Sequence, residues 1–82
     1  MPYIKQEDRP LMDLVVKTMK DADVRANGDL NYILYKFCKE NITPGYGNYK
    51  NYCGELHQCA TEIERRLLAD YEDKKKGENG DV

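Results

Sequence analysis

Over residues 49–75 the chain carries a helical apolar period with no proline inside it, and a helix of that length decides most of what the remainder can do. At 100° per residue, Tyr52, Leu56, Cys59, Ala60, Ile63 and Leu67 share an arc of about 100°. A helix rising 1.5 Å per residue covers roughly 39 Å over that stretch. The whole chain has 82 residues, and its two other helical segments are too short to cover such a length. A second subunit or the N-terminal segment has to lie against the rest.

The shorter helices are legible from their ends. Residues 1–7 read as an extended arm, because Pro2 donates no backbone hydrogen bond and Tyr3 and Ile4 favour strand-like backbone. Asp8 two residues before Pro10 predicts an N-cap followed by a proline in the first turn. From there to about residue 22, Leu11, Leu14, Val15 and Met19 form one stripe. Met12 and Val16 widen that stripe to about 200°. A helix in a monomer of this size buries a narrower arc, so the additional flank points to a subunit contact. Asn27-Gly28 marks a turn, Asp29 is placed to cap a second helix over about 29–41, and Leu30, Ile33, Leu34, Phe37 and Cys38 make its stripe. The run Thr43-Pro44-Gly45-Tyr46-Gly47 predicts a loop, and Gly77 predicts the end of the third helix, leaving 77–82 as a polar tail. The expected fold is therefore all-α: one domain over 1–82, three helices with an N-terminal arm and a C-terminal tail, assembled as an oligomeric bundle.

Composition narrows the function classes. A core in a chain this short supplies only a few kcal/mol without staples or partners. Three cysteines, Cys38, Cys53 and Cys59, fall at irregular spacing without a CxxC, which favours a reduced, cytoplasmic setting over a disulfide scaffold. No apolar run reaches the length of a signal peptide or a membrane span, so no membrane partner is expected. Thirteen Lys+Arg stand against fifteen Asp+Glu, which leaves no basic field for DNA. Oligomerisation, as a dimer or tetramer, is the remaining source of stability. Seven tyrosines with one Phe and no Trp suit half-wet contacts, since the ring is apolar and its tip polar.

Four constellations bear on chemistry. Cys53 and His57, four apart, have the spacing of two zinc ligands, but Cys59 points off their face; the plainer account is apolar core cysteines beside a surface histidine. The carboxylates of the C-terminal third, with Glu78 and Asp81 spaced as in one metal motif of the MazG-type pyrophosphohydrolases, lack the partner ExxE, because Arg65 follows Glu62 at +3. Surface pairs Glu62–Arg66 and Arg66–Asp70 account for them more simply. The stretch from Tyr46 to Tyr52 precedes a helix but follows no strand and lacks the GK[ST] ending of a phosphate loop. Arg65 and Arg66, with Tyr71, Tyr3, Tyr32 and Tyr35, have the residue types of a phosphate-and-base pocket: guanidinium forks take phosphate oxygens and tyrosine rings stack on bases. The plainer account spends Arg66 on its acidic neighbours and sets the tyrosines at subunit contacts.

Several motifs resemble a family of short all-helical proteins of bacteria and their phages that carry no assigned activity. They are Met1-Pro2-Tyr3-Ile4, Gly28-Asp29-Leu30-Asn31-Tyr32-Ile33, Glu64-Arg65-Arg66, Tyr71-Glu72-Asp73-Lys74 and Glu78-Asn79-Gly80-Asp81-Val82. Together they span nearly the whole chain. Members of that family have a proline where Asp70 precedes Tyr71 here; without it the third helix runs past residue 69. The resemblance implies an all-helical fold, and it is compatible with phage proteins that oligomerise and sequester cyclic-nucleotide immune signals. The expectation is a non-catalytic nucleotide-binding oligomer, without cofactor or metal, that uses Arg65, Arg66, Tyr71, Tyr3, Tyr32 and Asn31. The alternatives are a MazG-like Mg²⁺-dependent hydrolase using Glu62, Glu78 and Asp81, and a helical protein-interaction module.

Overall fold

The computed structural model describes residues 4–82. The fold is all-α, with no strand among these residues. It divides into two compact units, residues 4–43 and 44–82, and each is built from local signals that can be followed one by one.

In the first unit a single 3₁₀ turn, Gln6–Asp8, leads into α1, Arg9–Asp21, and α2 follows over Gly28–Asn41. Of the expected arm, residues 1–3 lie outside the described residues, Lys5 is extended (φ −62°, ψ 148°), and Gln6 and Glu7 belong to the turn. The Asp8 N–H donates to the Lys5 carbonyl at 3.0 Å. Asp8 does precede the helix and Pro10 does stand in its first turn, but the Asp8 side chain makes no capping bond. Its backbone is already right-handed helical (φ −92°, ψ −10°), and an N-cap side chain reaches N2 or N3 from an extended backbone instead.

The end of α1 is a Schellman motif. Asp23 N–H donates to Lys20 C=O and Val24 N–H to Met19 C=O, both at 3.0 Å. Asp23 takes the left-handed conformation (φ 55°) that this closure requires. Met19 and Val24, the two apolar positions the motif brings together, are half-buried. Asn27 rather than Asp29 caps α2: its side-chain oxygen accepts from Asp29 N–H at 2.9 Å. Asp29 reaches back in turn and accepts from Arg25 N–H at 3.3 Å. Leu30, Ile33, Leu34 and Cys38 of the α2 stripe are half-buried as their spacing predicts, and Phe37 stays exposed.

The second unit carries the long helix. It comprises α3, Tyr46–Ile63, a π-helical turn, Glu64–Leu68, and α4, Ala69–Asn79. The backbone stays right-handed helical across both joins, so residues 46–79 form one helix about 50 Å long. It starts three residues before the expected point, because only Pro44 and Gly45 of the Pro-Gly-Tyr-Gly stretch lie outside it. It also runs through Gly77 and ends at Gly80 (φ 86°), whose N–H donates to Lys76 C=O at 2.9 Å. An interior glycine costs a helix about 1 kcal/mol but does not end it; a left-handed glycine after the last turn does.

No described residue of either unit is fully buried. In the second unit only Tyr52 and Glu62 are even half-buried. No helix of the described residues is long and apolar enough to cross a membrane.

Candidate functional site

The strongest local arrangement is centred on the join between α3 and the π turn. Glu62 stands one residue before the end of α3, with Arg65 and Arg66 following inside the turn. Arg65 Nη2 donates to Glu62 Oε1 at 2.8 Å, and Arg66 Nη1 donates to the same oxygen at 3.3 Å. One carboxylate thus gathers two adjacent guanidiniums. The Glu62 side chain is 14% exposed, against 67% and 60% for the arginines, so the carboxylate lies beneath and the positive groups face water. The triad carries one net positive charge. Its bonds are charge-assisted, yet exposed pairs of this kind contribute only about 0.2–1 kcal/mol each to stability.

The π turn is closed by Ala69 N–H donating to Glu64 C=O, five residues back. A π turn takes one residue more than an α turn. Leu68, five after Ile63, is thereby brought towards the line of Ile63, a place that continuous α geometry assigns to Leu67. The exposures agree: Leu68 is 47% exposed and Leu67 66%. Such single-turn insertions occur frequently at functional sites. The insertion has no simple residue signature, and the periodicity of residues 49–75 does not reveal it.

The other predicted site residues are distributed over both units. Tyr71 lies on α4 with Lys75 Nζ 5.8 Å from its ring centroid. Asp70 pairs with Lys74 at 3.9 Å and not with Arg66 as expected. In the first unit Tyr32 and Asn31 stand on the first turns of α2, both exposed. Asn31 N–H donates to Asn27 C=O at 3.2 Å. Lys36 Nζ donates to the Tyr32 hydroxyl at 3.3 Å and lies 5.5 Å from its ring centroid. That hydrogen bond, the charge of Tyr32 when ionised, and Glu40 push the Lys36 ammonium above its ordinary range. Tyr3 lies outside the described residues. The sequence weighed Glu62 as a metal ligand or a surface partner of Arg66; its hold on Arg65 as well was missed, although a glutamate with arginines at +3 and +4 is the readable signal.

The hydrolase arrangement meets a geometric obstacle. Glu62 and Glu78 lie on one helix about 24 Å apart along its axis, too far for one ion within one chain. Glu78 pairs with Lys75 at 3.2 Å and Asp81 with Lys76 at 3.8 Å. Among the described residues no three His, Cys, Asp or Glu side chains are grouped as metal ligands would be. Cys38 is half-buried, but Cys53 and Cys59 are exposed free thiols, so those two are not the core cysteines their apolar character suggested.

A family described as a domain of unknown function (DUF6899) matches residues 1–82. No curated protein and no solved structure matches the chain.

Proposed function

The chain belongs to the family described as a domain of unknown function (DUF6899), and from that membership, which brings no activity with it, we propose a non-catalytic, nucleotide-binding oligomer. The reading is of a phage-type protein that sequesters a cyclic-nucleotide immune signal in the host cytoplasm. Arg65 and Arg66 take the phosphates, and Tyr71 supplies a ring for a base.

One observation carries the reading: Glu62 holds two adjacent guanidiniums, mostly exposed, at a π turn. Adjacent guanidiniums present several N–H donors to phosphate oxygens, and a carboxylate that fixes them beforehand lowers the entropy lost on binding. Aromatic stacking adds about 1–3 kcal/mol per base. Glu62 and Glu78 stand too far apart along one helix to share an ion within a chain, which favours binding without turnover over the hydrolase arrangement.

The test is calorimetric titration of the protein with a panel of cyclic di- and trinucleotides, beside a pyrophosphate-release assay with nucleoside triphosphates and Mg²⁺. Binding is expected to be unchanged by EDTA. Arg65→Ala should weaken it tenfold to a hundredfold, the equivalent of about 1.5–3 kcal/mol for a charge-assisted contact. No binding across the panel overturns the proposal and leaves a helical interaction module. Turnover abolished by Glu62→Gln replaces it with the hydrolase.

A further inference from the structure

We propose that α1 is a self-recognition helix, and that two copies of this chain pack their α1 helices antiparallel about a two-fold axis through Val15. This does not rest on the nucleotide reading. Around Val15 apolar residues recur on both sides at one residue, Leu14 and Val16, and at four, Leu11 and Met19, while at three Met12 is matched by Thr18, whose hydroxyl is satisfied by the Leu14 carbonyl. Leu11, Val15 and Met19 form one i±4 ridge, the unit that interdigitates when helices cross. A two-fold operation about Val15 sets Val15 against its own copy and Leu11 against Met19 of the partner subunit. An isologous contact has this reciprocity.

The charges obey the same geometry. Arg9, Asp13, Lys17 and Asp21 follow one another at four-residue steps along the flank opposite Val15, and Lys17 already pairs with Asp21 at 2.9 Å. Pairing through Val15 therefore buries no charge. The apolar side remains uncovered within its own unit, with Leu11, Met12, Leu14, Val15 and Val16 each half to two-thirds exposed.

The area suits a second copy. A Val, Leu or Met side chain offers about 60–120 Å², so these five leave on the order of 300 Å² per chain and 600 Å² over two. Small specific interfaces bury about 1,200 Å², of which 56–65% is apolar, or roughly 700–800 Å². The α1 face comes close to that apolar share, and polar flanks supply the remainder.

Cross-linking tests the contact without nucleotide. In a Cys38→Ala, Cys53→Ser, Cys59→Ser background with helicity checked by circular dichroism, Val15→Cys should oxidise to a covalent dimer, because a two-fold axis through residue 15 brings the two Cβ atoms within about 4 Å. Lys17→Cys, on the opposite flank, should yield less than about a tenth as much. A mixture of Leu11→Cys and Met19→Cys chains should give mainly the mixed dimer. Equal yields from Val15→Cys and Lys17→Cys, or preferential Leu11–Leu11 linkage, would overturn the proposal. Should the cysteine-free background not fold, sedimentation of the native-cysteine chain decides: dissociation by Val15→Glu but not by Lys17→Gln supports it, and a wild-type monomer overturns it.

Discussion

Asp23 holds a conformation that an L-residue adopts at a cost. Its φ of 55° closes the Schellman motif that ends α1, a position glycine fills without penalty. Its carboxylate adds only an exposed 3.5 Å contact with Arg25. Asp23→Gly should therefore raise stability by about 0.5–1 kcal/mol, after allowance for the greater freedom glycine gives the unfolded chain. Urea unfolding at constant m-value measures it, and an unchanged or lower midpoint would contradict the assignment. Glu62 shows the same dependence on context. By type it is a surface glutamate; by position it sits beneath two guanidiniums and decides where they are held.

At the scale of the element, Gly77 separates propensity from termination. It lies inside α4, and a Cβ added there meets nothing within 4 Å. Gly77→Ala should stabilise the C-terminal turns by roughly 0.5–1 kcal/mol, read as increased helicity and slower amide exchange from Lys74 to Asn79. No change in exchange would mean that these turns are frayed in solution. The α1 helix carries a different consequence. If its apolar face is covered in the assembly, Val16→Asp should lower the thermal midpoint sharply, since a charge in a buried apolar contact costs several kcal/mol. Lys17→Gln loses one exposed ion pair and should cost no more than about 0.5 kcal/mol. Equal midpoints would show that Val16 faces water.

For the whole molecule, the absence of any fully buried side chain among the described residues sets the expectation for solution behaviour. Neither unit encloses a core of the kind that offsets the conformational entropy of folding, so light scattering at micromolar concentration should report a mass of at least twice 9.6 kDa. A stable, cooperatively folding monomer would refute this. What the sequence determined by itself was local and periodic: the all-α class, the α2 stripe through Leu30, Ile33, Leu34 and Cys38, Pro10 in the first turn of α1, and the continuation of the long helix past residue 69. These are legible because each residue's angular place on a helix follows from its number alone. Which aspartate turns left-handed, which glycine ends a helix, where one extra residue is inserted as a π turn, and that Asp70 pairs with Lys74 rather than with Arg66 were decided only in three dimensions. Each is a choice between near-equal local options, separated by about 1 kcal/mol or less, and it is made by which backbone groups and side chains the completed structure brings within reach.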